Sequence, residues 1–221
     1  MNQPGVRDWA KKVLSEYSGV QLSEAAKEEL DKQPLLGTSS TETYDRDPLH
    51  LHPALRDKVA ALRQRLDTEG LHFELLAGFR SPSAQLIYYA QGRSNEGPRV
   101  TSAKPWTTMH NFGVAADLVL IRDGKVASGG PGDAAAYERM QEIAKELGLR
   151  TVEKPLVDLP HVELDGISLA DLQAGKYPPG GDASWANNLA RSVENWKTLI
   201  TAIQAWGSVL PAAPVPPEVP Q

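Results

Sequence analysis

The run Val114-Ala115-Ala116-Asp117-Leu118-Val119-Leu120-Ile121, closed by Asp123-Gly124, limits the possible folds of this chain more than any other feature. One polar side chain in an otherwise apolar run reads as a strand inside a sheet. Asp-Gly between Ile121 and Val126 favours the two-residue type I′ turn, so this strand is the first arm of a hairpin. A lone carboxylate in such a strand needs a partner, because an unpaired charge is costly to bury. His110 approaches the same strand through Gly113, which lets the chain turn sharply and bring its backbone close, while Ala115 leaves room beside Asp117.

A second short motif, Asp158-Leu159-Pro160-His161, supplies what the first lacks. His110, Asp117 and His161 together make two imidazoles and a carboxylate, the ligand set of a catalytic zinc, since three protein ligands leave the fourth tetrahedral position to water. A short bend through Pro160 brings Asp158 and His161 to one site. A carboxylate there accepts a proton from water, whose pKa zinc lowers toward ~7 while polarising a carbonyl. Val162 and Leu164 alternate with Glu163 and Asp165, so His161 opens another short strand. Glu163 is a rival base, and spacing does not decide between it and Asp158. His50 and His52 precede a helix and read as capping or packing residues, and His72 as a surface residue.

Further stretches extend the pattern: Gly78-Phe79-Arg80-Ser81, Gln85, Tyr88, Gln91-Gly92-Arg93 and Val100-Thr101 precede the His110 to Asp117 block in order. From about Leu49 to Tyr177 the chain resembles the M15 peptidases. That family belongs to a wider group of zinc enzymes with lysostaphin-type peptidases, D-alanyl-D-alanine carboxypeptidases and the Hedgehog signalling domain. Gln-Gly-Arg and His-Asn-Phe-Gly are most similar to the endolysin-like L-alanyl-D-glutamate endopeptidases, which implies an antibacterial, wall-degrading hydrolase. The resemblance implies Zn2+ held by His110, Asp117 and His161, with Asp158 as the base. It gives Arg80 the role of holding substrate or the oxyanion, which its fixed fork of donors suits, and makes Gln85 an outer-shell candidate. Thr108 stands where the family has a serine, keeping the hydroxyl beside the cleft. Leu149 to Val157 lacks the tryptophan and glycines the family often carries there, so that wall of the cleft differs.

The implied reaction is hydrolysis of peptidoglycan stem peptides between L-alanine and D-glutamate. The alternatives are D-alanyl-D-alanine carboxypeptidase or dipeptidase activity, and a zinc-bearing domain that binds a partner without turnover. The formal charge of -5 and the absence of Lys/Arg clusters interleaved with aromatics exclude a nucleic-acid binder of the usual kind. With no cysteine, thiolate ligands and a cysteine nucleophile are excluded. No stretch is long enough to span a membrane, and Met1 to Trp9 lacks the basic and apolar regions of a secretory signal. The expectation is synthesis in the cytoplasm and action on the wall after release or secretion, with a holin or secretion machine as delivery partner.

Periodicity gives an α+β organisation, a small antiparallel sheet with flanking helices around one zinc site. Residues 1–46 read as a helical extension and 47–177 as the peptidase domain. Leu55, Val59, Leu62 and Leu66 space a helix over 53–66, followed by a strand over 71–79 and a helix over 83–91. Asp133 caps a helix with Tyr137, Met140, Ile143 and Leu147 on one face and Gly148 ending it. Residues 178–210 form a linker and an amphipathic helix whose stripe runs Trp185, Leu189, Val193, Trp196, Leu199, Ile200, Ile203, Leu210. That stripe packs on the body of the protein or docks a partner. Residues 211–221, rich in proline, read as a disordered tail.

Overall fold

The computed structural model describes residues 45–93, 98–127, 132–152, 158–204 and 210–220. The N-terminal helices expected before residue 45 lie outside the described residues. The rest is α+β, built on an antiparallel sheet in the order β1 (Phe73–Ala77), β2 (Ala115–Arg122), β5 (Asp158–Leu164), β4 (Leu149–Val152), with β3 (Lys125–Val126) pairing the end of β2. No helix among the described residues is long and apolar enough to cross a membrane.

Helix α1 (Pro53–Thr68) begins with proline at its first position and a cap from His52, whose Nδ1 accepts from the Ala54 amide at 3.2 Å. Leu55, Val59, Leu62 and Leu66 are all buried, the stripe that a 3.6-residue period dictates. Strand β1 (Phe73–Ala77) follows, then α2 (Pro82–Ala90), whose first turn is capped by the Ser81 hydroxyl. Strand β2 (Ala115–Arg122) lies between β1 and β5, and its apolar residues are buried on both faces apart from Ile121 near its end. It turns through Asp123 (φ 51) and Gly124 (φ 70) into β3 (Lys125–Val126), both residues taking the positive φ of the type I′ hairpin.

Helix α3 (Asp133–Glu146) corrects the expected cap by one residue. Gly132, in the left-handed conformation, is the N-cap, and Asp133 sits inside the first turn, where its carboxylate accepts from Arg122 Nε at 2.8 Å. Met140 and Ile143 are buried, Tyr137 and Leu147 pack at the margin, and Gly148 (φ 70) ends the helix. Strand β4 (Leu149–Val152) then pairs with β5 (Asp158–Leu164), which starts three residues earlier than expected: His161 lies within the strand rather than opening it.

The short helix α4 (Leu169–Gln173) precedes α5 (Ala183–Gln204). The face of α5 carrying Trp185, Leu189, Val193 and Trp196 is buried in the same apolar cluster as α1 and β2, so the C-terminal helix packs on this body. Leu210, expected on the helix, lies past its end in chain without regular structure, where it packs against the core. The sequence reads residues 211–221 as a disordered tail. Residues 210–220 form no regular element but lie against the body, because Pro211 O accepts from Trp196 Nε1 at 2.8 Å and Val215 O accepts from the Tyr177 hydroxyl.

Candidate metal centre

The site is built where β2 and β5 run side by side. Asp117 and His161 are paired residues across that antiparallel ladder, so their side chains leave the same face of the sheet as neighbours. His110 comes from the single turn Met109–Phe112, which Gly113 ends in a left-handed conformation (φ 69). A Cβ at Gly113 would lie 2.6 Å from His50 O and 3.0 Å from Trp185 Cδ1, so only glycine fits between them.

Three ligand atoms converge. His110 Nε2 is 3.3 Å from His161 Nδ1 and 3.3 Å from Asp117 Oδ1, and His161 Nδ1 is 3.0 Å from Asp117 Oδ1. Bonds of about 2.0–2.1 Å to a tetrahedral ion imply ligand atoms roughly 3.3 Å apart, so the trio fits one small cation. The second atoms of each group fit too. His110 Nδ1–H donates to Gly78 O at 2.7 Å, which leaves Nε2 with its lone pair toward the centre. His161 Nε2 faces Glu163 Oε2 at 3.4 Å, which leaves Nδ1 for the centre.

The local field favours positive charge. Burial on its own would raise the Asp117 carboxyl, but the imidazoles of His110 and His161 outweigh it and hold the group well below the usual carboxylate range. Burial likewise works against charge on His161, yet Asp117 and Glu163 push it up to about 9. A pocket that stabilises a proton between two carboxylates also stabilises a cation there.

Arg80 stands next to the trio, its Nη2 3.7 Å from Asp117 Oδ2 and its guanidinium 5.0 Å from the centre of the Tyr88 ring. Buried Gln85 accepts from Arg80 Nη1 at 3.1 Å and donates to Ala103 O at 2.7 Å, tying Arg80 to the loop ahead of the His110 turn. Thr108 occupies the N-cap of that turn without a capping hydrogen bond from its hydroxyl.

Asp158 is at the start of β5 with its side chain exposed, and is not one of the three converging ligands. Between Thr151 and Val152 the partner on β5 jumps from Val162 to Asp158, so Leu159, Pro160 and His161 bulge from the β4 ladder. Pro160 has no amide to donate, and the bulge frees Asp158 and His161 from the strict alternation that would send residues three apart to opposite faces. The expected bend is therefore a bulge within a strand. Gln141 Nε2 on α3 donates to Leu159 O at 3.2 Å and steadies it.

Sequence reasoning missed Asn111. Its Oδ1 accepts from the Trp106 amide at 2.8 Å and its Nδ2 donates to Arg80 O at 2.6 Å, joining the loop, the arginine and the His110 turn. The two early histidines are structural: His50 pairs with Asp45 at 2.7 Å, and His52 is the buried cap of α1.

A family model described as VanY, D-alanyl-D-alanine carboxypeptidase, matches residues 48–152. Over 125 residues the chain is 32% identical to the peptidoglycan L-alanyl-D-glutamate endopeptidase CwlK of Bacillus subtilis, covering 53% of this chain and 75% of that one. The chain belongs to the VanY, or M15, peptidase family. It is thus a peptide hydrolase of a metal-dependent family, and His110, Asp117 and His161 form a group that could hold a metal ion. Among solved structures, the LdcB LD-carboxypeptidase superposes with a TM-score of 0.44 at 17% identity over 55% of this chain and 62% of its own, so this chain spans less than two thirds of it. DacB from Streptococcus pneumoniae gives 0.42 at 18% identity, over 55% and 70%. At these scores the likenesses decide nothing further about this M15 chain.

Proposed function

We propose that this M15 enzyme hydrolyses stem peptides of bacterial peptidoglycan at the bond between L-alanine and D-glutamate. The convergence of His110 Nε2, Asp117 Oδ1 and His161 Nδ1 carries the reading, and the relative of that named activity supports the choice of bond. In this reading the three residues hold Zn2+, which supplies a Lewis acid for the scissile carbonyl and lowers the pKa of water.

The protein's own residues do the rest. Asp158 accepts a proton from the attacking water as its oxygen bonds to the carbonyl carbon, and delivers that proton to the departing amine as the C–N bond breaks. Arg80, kept in place by Gln85, presents guanidinium N–H groups to the oxygen on which negative charge grows. The Thr108 hydroxyl faces no capping duty and is free to bind substrate.

The family model's description favours a second reading, a D-alanyl-D-alanine carboxypeptidase on the same site. Digestion of purified peptidoglycan, with products identified by mass spectrometry against a chelated control, separates them. Fragments newly beginning at D-glutamate support the endopeptidase. Free D-alanine selects the carboxypeptidase, and no product from any wall chemotype overturns both in favour of a binding domain.

A further inference from the structure

Glu163 has the two features of a catalytic base, a carboxylate and nearness to His161, yet its geometry assigns it a different task. It is paired with Arg150 across the β4–β5 ladder and lies two residues beyond His161 on the same strand face. Its side chain is 12% exposed, and both oxygens are engaged: Oε1 accepts from Arg150 Nε at 2.7 Å, and Oε2 lies 3.4 Å from His161 Nε2. Nε2 is the imidazole nitrogen turned away from the trio, so the carboxylate sits behind the ring rather than over the centre. Opposite Glu163 on β2 is Ala115, whose methyl leaves that face open for the larger side chain.

We infer that Glu163 is a positioning residue that sets the affinity of the metal centre. It accepts a hydrogen bond from His161 Nε2–H, so fixing the tautomer that keeps the Nδ1 lone pair for the ion, and Arg150 braces it from the adjacent strand. An imidazole ligand without such a partner divides its proton between two nitrogens and swings about χ2, and loss of outer-shell partners of this kind typically lowers metal affinity by about 10–100-fold. The inference rests on the metal-site reading above.

The test is zinc affinity, measured by competition with a chromophoric chelator for wild type, Glu163→Ala, Glu163→Gln and His161→Ala. Expected are a loss of about 10–100-fold for Glu163→Ala and a smaller loss for Glu163→Gln, whose amide oxygen still accepts from Nε2–H. Arg150→Ala should lose less than Glu163→Ala, because the arginine acts only through the glutamate. Nitrogen-15 spectra of the zinc-loaded protein should show His161 protonated at Nε2 in wild type. Affinity within twofold of wild type in Glu163→Ala overturns the inference. So does unchanged affinity with turnover lost at saturating zinc, which would make Glu163 the base. Failure of the underlying reading looks different: wild type and His161→Ala would then bind zinc equally weakly.

Discussion

Replacing Trp185 with phenylalanine should destabilise the protein and loosen the turn that carries His110, although the substitution lies on the C-terminal helix outside the stretch matched by the family model. The indole Nε1–H donates to Phe112 O at 2.8 Å, and the ring lies edge-on to His52 with centroids 4.7 Å apart. Phenylalanine keeps most of the apolar contact but cannot donate. Phe112 is wholly buried, so its carbonyl would lose a partner with no access to bulk water, at a cost of about 1–3 kcal/mol. For a protein of this size each kcal/mol moves the unfolding midpoint by roughly 2–4 °C, giving a fall on the order of 5 °C. Thermal unfolding of chelated protein reads this directly. Trp185→Ala, which also removes the ring, should cost about 3–5 kcal/mol. Zinc affinity should fall in parallel, because Phe112 and Gly113 complete the turn that carries His110. A phenylalanine variant that melts with wild type and binds zinc equally well would refute the claim that α5 supports the metal turn.

Asp158→Asn should retain zinc while losing turnover by several orders of magnitude, and normal hydrolysis of a stem peptide would remove Asp158 from the mechanism. Burial holds His52 below its ordinary value of 6.5, against the opposing pull of its hydrogen bond to Pro178 O. Between that depressed value and 6.5 the unfolded chain binds a proton that the folded chain does not, so this contribution is present above 6.5 and is lost as pH falls. His52→Asn, which keeps an acceptor for the Ala54 amide, should shallow the decline of the unfolding free energy, measured by urea titration, from pH 7 to pH 5, where one proton sets a ceiling of ~1.4 kcal/mol per pH unit; an unchanged slope would contradict it.

Local signals were legible in the sequence because they depend on spacing alone. Leu55, Val59, Leu62 and Leu66 announce the buried face of α1, and Asp123-Gly124 announces the hairpin. His110, Asp117 and His161 stood out in the sequence as candidate ligands from their chemistry. What brings them together did not, since the pairing of Asp117 with His161 is a register between strands far apart in the chain. The task of Glu163 was hidden for the same reason. Lying two residues from His161 suits a base or a brace equally, and only the ladder to Arg150 distinguishes them. An amphipathic stripe says that one face of α5 is buried without saying on what, and a proline-rich composition does not reveal the anchors that Trp196 and Tyr177 provide.

Adding zinc back to chelator-stripped protein, while following hydrolysis of a synthetic stem peptide, tests whether His110, Asp117 and His161 form a one-metal peptidase centre. Stripped protein should show no turnover, activity should rise and saturate at one zinc per chain, and Asp117→Ala should not recover. Full hydrolysis by stripped protein, or recovery in Asp117→Ala equal to wild type, would contradict such a centre.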